Sequence, residues 1–202
     1  MNLRNPLRRT HRRRAGRAPS ARRIAVSLLA IVALVVSALV AGIGTSVPKA
    51  AAATGGVDIS AGGPAAAPFV ADQDFTGGAT AATTTAITTT GITNPAPQSV
   101  YQHNRYGNFT YTIPGLTAGA SYGVRLDFAE TYWTAAGSRT FNVLINGTQV
   151  LTNFDIFATA GGEFKAVAES FTATASSAGA ITIQFVTVKD NAQVNGIEVL
   201  SG

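Results

Sequence analysis

The 202-residue sequence has no cysteine, one methionine, one tryptophan and two histidines. Without cysteine, no disulfide can stabilise the fold and no thiolate zinc site can form. Only His103 lies outside the basic N-terminal segment, and neither a G-x-S-x-G motif nor a D-x-D-x-D-G calcium loop occurs. We therefore expect no catalytic triad, no catalytic metal and no cofactor, while carbonyl-rich loops leave structural calcium open.

Acidic residues are absent from residues 1–49, which contain nine arginines and one lysine. Residues 54–202 contain five basic and ten acidic residues, so their net charge is −5. The net charge of +5 for the whole chain therefore comes from the N-terminal segment. We expect no nucleic-acid partner for the rest of the protein.

An apolar run of 20 residues, Ile24–Ile43, follows the arginines and leads into Ala50–Ala53. This order predicts a secretory signal peptide over residues 1–53. The run is also long enough to cross a bilayer of about 30 Å, so an uncleaved membrane anchor over residues 24–43 is the alternative. In both cases we expect residues 54–202 to be secreted, and the composition indicates a bacterial source.

Alternation of apolar and polar residues dominates the sequence after Val57. The segments Gly107–Gly119, Ser121–Glu130 and Thr140–Leu151 have the period of two that half-buried strands require. Asn146-Gly147 interrupts the last of these and predicts a type I′ hairpin. No long helical period occurs, so we predict one all-β domain over residues 54–202, an antiparallel β-sandwich of the jelly-roll type. The Thr- and Ala-rich segment 76–94 is predicted to be a long surface loop or a weak edge strand.

Two wide aromatic rings, Tyr132 and Trp133, are adjacent at the end of a predicted strand. Neighbours in a strand point to opposite faces, so they cannot both belong to a core that covers one face only. Tyr111 and Tyr122 lie within alternating runs and are expected to be core residues. Aromatic side chains with one polar atom suit surfaces that contact an apolar ring face and hydrogen-bond its rim, as in sugars.

Four segments, in order, resemble the malectin domain: Ser60–Pro64, Val100–Gly115, Leu126–Ile156 and Val188–Val199. The resemblance extends over residues 57–200. It implies a galactose-binding-like β-sandwich that binds oligosaccharides through loops at one end and has no catalytic activity. The family's animal member recognises glucose-α1,3-glucose on N-glycans.

The resemblance also implies which residues bind sugar. The family's site is a cluster of aromatic residues and one aspartate, which correspond here to Tyr106, Tyr132, Trp133 and Asp190. We expect support for this site from four neighbours: Tyr101, which could equally pack under a loop, Arg105, Glu130 and Asn191.

The chain departs from the family pattern at two places near the implied site. Residues 83–93 contain no aromatic where the animal member has a ligand tyrosine, and Asn104 replaces a usual glutamate. We therefore predict binding of glucose-containing oligosaccharides or polysaccharides, without transferring the animal glycan.

Two other functions remain open from the sequence. One is an extracellular adhesion or assembly module without glucan specificity. The other is a small glycosidase that would use Glu130 and Asp190, with carboxyl groups about 5–9.5 Å apart.

Overall fold

The computed structural model describes residues 55–201. The predicted signal peptide or membrane anchor, residues 1–53, lies outside the described residues. Within residues 55–201, no helix is both long and apolar enough to cross a membrane. The strands are β1 (Val57–Ser60), β2 (Phe75–Ala82), β3 (His103–Ile113), β4 (Ser121–Ala129), β5 (Thr140–Ile145), β6 (Thr148–Phe154), β7 (Ala166–Thr174), β8 (Ile181–Lys189), β9 (Gln193–Val194) and β10 (Gly196–Ser201). Two short helices, α1 (Gln98–Tyr101) and α2 (Ile156–Ala160), complete the described elements.

The strands form two sheets in which every pair of neighbours is antiparallel. The four-stranded sheet has the order β1-β10-β4-β7, and the larger sheet has the order β2-β3-β8-β5-β6, with β9 paired to β3. Side chains of both sheets meet in one main buried cluster. The predicted antiparallel β-sandwich is confirmed.

Strand β4 shows why the alternating pattern produces this core. Tyr122, Val124, Leu126 and Phe128 are all buried. Phe109 and Phe185, on β3 and β8, stack with ring centroids 4.5 Å apart. Burial of each large apolar side chain contributes about 1.5–3 kcal/mol. Tyr111 is fully buried as well, so both predicted core tyrosines are confirmed.

The predicted hairpin joins β5 and β6 at Asn146-Gly147. Asn146 has a φ of 50° and Gly147 a φ of 80°, as a type I′ turn requires. The Asn146 side chain accepts a hydrogen bond from the backbone N–H of Thr182 at 2.9 Å. It also donates to the carbonyl of Thr174 at 2.8 Å, so this turn is attached to both sheets.

The segment 76–94 divides into two parts with different structures. Residues 76–82 belong to β2, an exposed edge strand of the larger sheet. Residues 83–94 form a loop whose Ile87 is buried. Ile87 belongs to a second apolar cluster in which the segment before β3 packs against the ends of β4 and β7. Its buried members are Phe69, Ile87, Ala96, Val100, Tyr101, Ala129 and Ala166.

Antiparallel pairing brings four strand ends of the larger sheet to the same end of the sandwich. Ala82 at the end of β2 pairs with His103 at the start of β3. Thr140 at the start of β5 pairs with Lys189 at the end of β8. The loops that follow β4 and β8 are therefore positioned beside one another.

Candidate functional site

A cavity of about 490 Å³ opens at this end of the sandwich. Its volume is within the range of roughly 300–1,000 Å³ typical of small-ligand sites. Its lining includes five residues that we expected to bind or support a sugar: Tyr106, Tyr132, Trp133, Asp190 and Asn191. It also includes Arg139, which we did not expect there. The structure therefore brings together the four residues that the resemblance implies.

The two adjacent rings stand at right angles to each other. Their centroids are 5.0 Å apart and their planes meet at 88°. Tyr132 is 72% exposed, whereas Trp133 is half-buried. An exposed ring supported edge-on by a second ring offers an apolar face that a ligand can cover without displacing any protein contact.

Asp190 is the acidic group of the cavity, and donors of Trp133, Arg139 and Asn191 hold its carboxylate. The indole Nε1–H of Trp133 donates to Asp190 Oδ2 at 2.9 Å, and Arg139 Nη1 lies 3.2 Å from the same oxygen. Partial burial alone would raise the pKa of Asp190, but the hydrogen bond from Trp133, the donors of Asn191 and the charge of Arg139 lower it. Asp190 is therefore ionised at neutral pH and can accept hydrogen bonds from hydroxyl groups.

A buried ion pair beneath the cavity fixes the aromatic loop. Glu130 is fully buried and Arg139 is nearly so. Arg139 Nε donates to Glu130 Oε2 at 2.8 Å, while Glu130 Oε1 accepts the backbone N–H groups of Tyr132 at 3.0 Å and Trp133 at 3.1 Å. Glu130 thus acts on the site by holding the two residues that carry the rings.

Arg139 connects the two halves of the site. Besides Glu130, its guanidinium donates to the carbonyl of Asn191 at 2.6 Å and pairs with Asp190. One side chain therefore sets the position of the loop after β4 relative to the loop after β8. Our sequence interpretation did not include Arg139 in the site. Its position in the sequence could have indicated this role, because Arg139 and Glu130 have opposite charges and flank the short loop of residues 131–138.

Three residues that we expected to support the site do not line this cavity: Glu130, which lies beneath it, and Tyr101 and Arg105. Tyr101 is fully buried, and its hydroxyl donates to Asp127 at 2.9 Å. Arg105 is buried too; it pairs with Asp72 at 2.5 Å and stacks over the Phe75 ring at 3.3 Å. Both positions are corrected to structural ones, because the polar group of each already has a hydrogen-bond partner, Asp127 for Tyr101 and Asp72 for Arg105. For Tyr101, packing under a loop is the alternative that the structure supports.

Comparison of the sequence with family models identifies this architecture. A model described as Malectin domain matches residues 53–198, well over half of the chain. The chain belongs to the malectin domain family. The matched range includes every residue of the cavity and both sheets except the end of β10, residues 199–201.

Curated relatives of this malectin domain match it over part of their length only. Malectin-B of Xenopus laevis is 38% identical over 66 residues, which are 32% of this chain and 24% of the frog protein. Kinesin-like protein KIN-14E of Oryza sativa subsp. japonica is 36% identical over 107 residues, which are 49% of this chain and 10% of the rice protein. The chain thus matches a quarter or less of the length of these relatives.

Solved structures show the same fold. The ANX2 ectodomain of Arabidopsis thaliana superimposes with a TM-score of 0.65 and 17% identity. The match covers 71% of this chain and 48% of the plant ectodomain. At this identity the likeness concerns the β-sandwich and not the site.

Proposed function

We propose that this malectin domain is a secreted, non-catalytic module that binds glucose-containing oligosaccharides or polysaccharides. The observation that supports the proposal most directly is the exposed Tyr132 ring beside an ionised Asp190 held by three donors. The C–H face of a sugar ring would cover the aromatic surface. Its hydroxyl groups would donate to Asp190 and exchange hydrogen bonds with Tyr106 and Asn191.

The arrangement of the carboxylates favours binding over hydrolysis. Glu130 and Asp190 both pair with Arg139, so the sandwich does not separate them. However, both oxygens of Glu130 are occupied by donors, and its side chain is only 1% exposed. A carboxyl group held in this way has no free oxygen within reach of a glycosidic bond, which a general acid must contact.

The binding strength should be modest because the surface is open. We expect dissociation constants in the micromolar to millimolar range, or about −4 to −8 kcal/mol. Extracellular placement would expose the domain to free glycans and to cell-surface polysaccharides, which fits such affinities.

The test is a titration of the purified protein with maltose, nigerose and longer α-glucans. Trp133 is the only tryptophan, so its fluorescence reports on this cavity alone. We expect a saturable change that Asp190→Ala abolishes and Tyr132→Ala weakens about tenfold. Thr172→Ala, an exposed change in the other sheet, is the control and should bind as the wild type does.

The adhesion or assembly function is the competing hypothesis. A response that does not saturate with any glucan, in a protein that remains folded, would contradict the proposal. The exposed edge strand, β2, would then be the first surface to test for self-association.

A further inference from the structure

A second cavity, of about 710 Å³, lies beside the aromatic one. It is lined by Ala82, Thr83, Thr84, Gln102 and His103. Ala82 and Thr83, which have small side chains, line both cavities. Among the described residues, no others are common to the two linings. The two cavities therefore adjoin each other at the end of β2.

The floor of the second cavity is built from paired backbone. Ala82 pairs with His103 in the β2–β3 ladder, and the N–H of Thr83 donates to the carbonyl of Gln102 at 2.9 Å. The amide of Gln102 donates to the carbonyls of Thr84 at 3.2 Å and Thr85 at 3.1 Å. These bonds hold the segment after β2 in place, so the second cavity has a defined shape before any ligand arrives.

The chemistry of the second cavity is neutral and polar. His103 Nδ1 lies 2.7 Å from the carbonyl of Ser99. Because a carbonyl can only accept, Nδ1 carries the hydrogen, and this tautomer of imidazole has its acceptor at Nε2. Neither this nitrogen nor Gln102 Oε1 has a hydrogen-bond partner among residues 55–201. Both atoms can accept hydrogen bonds from hydroxyl groups.

We propose that the second cavity is an extension subsite that binds further units of a linear, uncharged oligosaccharide anchored at Tyr132 and Trp133. This inference rests on the proposed function and specifies its ligand as a chain longer than a disaccharide. A charged chain does not fit, because the lining carries no lysine, arginine, aspartate or glutamate. The lining has no aromatic ring besides the imidazole, so hydrogen bonds to hydroxyl groups would supply the added affinity.

The test compares disaccharides with longer chains of the same linkage. Calorimetric titration of the full protein with maltose, maltotetraose and maltohexaose, and with nigerose and nigerotetraose, gives affinity as a function of length. We expect the tetrasaccharides to bind about three- to tenfold tighter than the disaccharides, the effect of one or two net hydrogen bonds.

Two substitutions of His103 distinguish the roles of its two ring nitrogens. His103→Asn keeps a donor at the Nδ1 position for the Ser99 carbonyl and removes Nε2, so it should lose most of the gain with length. His103→Gln places an amide near the Nε2 position and should retain part of the gain. Both variants should bind disaccharides as the wild type does.

Three results would overturn the inference in distinguishable ways. Equal affinity for disaccharides and longer chains would overturn the extension subsite and leave the proposed function intact. A gain with length that persists in His103→Asn would place the added contacts elsewhere. Absence of binding to every glucan would overturn the proposed function and this inference together.

Discussion

Two clusters of carboxyl groups around an arginine lie in different parts of the sandwich and differ in the number of carboxyl groups for each guanidinium. At the cavity, Arg139 forms ion pairs with Glu130 at 2.8 Å and with Asp190 at 3.2 Å. In the four-stranded sheet, Arg125 forms ion pairs with Asp127 at 3.1 Å and with Glu198 at 3.4 Å. Asp58 is the residue opposite Glu198 in the β1–β10 strand pair. The second cluster thus has three carboxyl groups for one guanidinium.

The second cluster also differs in how completely its atoms are paired. Asp127 is fully buried; its Oδ1 accepts from Tyr101 and Arg125, whereas Oδ2 has no hydrogen-bond donor among the described residues. Protonation of Glu198 would supply a donor for this oxygen. Burial first, and then the hydrogen bond and charge of Asp127, raise the pKa of Glu198 to about 7.

The comparison shows that one set of residue types can serve two purposes. Where the donors satisfy every buried carboxylate oxygen, as at Glu130, the cluster fixes a geometry and leaves Asp190 charged at the surface. Where three carboxyl groups surround one guanidinium and one of them is buried, the pKa of Glu198 is raised, which favours its protonated form. The first arrangement supports recognition, and the second makes stability depend on pH.

The largest expected effect comes from removing the arginine of the first cluster. Arg139→Met leaves the buried Glu130 carboxylate without its partner, and breaking a buried pair costs about 3–5 kcal/mol. Urea unfolding should show this loss, and the protein that remains folded should not bind sugar because the two loops lose their connection.

Arg139→Lys is the matched variant, because it keeps the charge but loses the forked donor geometry. It should recover part of the stability and little of the sugar affinity. Wild-type stability and binding in Arg139→Met would show that the first cluster organises nothing.

A smaller effect is expected from neutralising the second cluster. The pKa of Glu198 is higher in the folded protein than its ordinary value of about 4.5, so its contribution to stability is complete below about pH 4.5 and is lost as pH rises through about 7. Melting temperatures should therefore fall between about pH 5 and about pH 8. Glu198→Gln should flatten this profile, while Glu163→Gln, outside the cluster, should not.

Disaccharide binding should stay constant over the same pH range, because the pKa of Asp190 is lowered. A melting temperature in Glu198→Gln that falls with pH as steeply as in the wild type would assign the dependence to other groups.

The smallest effect isolates one hydrogen bond of the site. Trp133→Phe keeps an aromatic ring and removes the Nε1–H donated to Asp190. Arg139 still holds the aspartate, so we expect affinity to fall by about 1 kcal/mol with stability nearly unchanged. Calorimetric titration is required because the variant has no tryptophan. A loss as large as that of Asp190→Ala would mean that the indole N–H, rather than Arg139, keeps the carboxylate in place.

The features that the sequence predicted well depend on neighbouring residues. The period of two in β4 and the Asn146-Gly147 hairpin follow from local backbone geometry, and both are present. Motif resemblance also identified Tyr106, Trp133 and Asp190, which line one cavity. By contrast, Tyr101 and Arg105 lie within the same motif as Tyr106. The sequence did not indicate that Tyr106 lines the cavity and that the other two residues do not.

Their separation required partners that are remote in the chain. Tyr101 is buried because Asp127 accepts from its hydroxyl, and Arg105 because Asp72 and the Phe75 ring surround its guanidinium. No local pattern encodes such pairs, because side chains on different strands meet only after the sheets have packed.

The sequence by itself determined the all-β fold, the strand pattern, the family and the residue types of the site. Each of these depends on periodicity, turn chemistry or ordered motifs that are readable along the chain. The tertiary structure alone decided that Arg139 joins the two loops, that Ala82 and Thr83 line two neighbouring cavities, and that every oxygen of buried Glu130 has a donor while Oδ2 of buried Asp127 has none among the described residues. These properties depend on distances between side chains that are far apart in sequence, which only the packed sandwich sets.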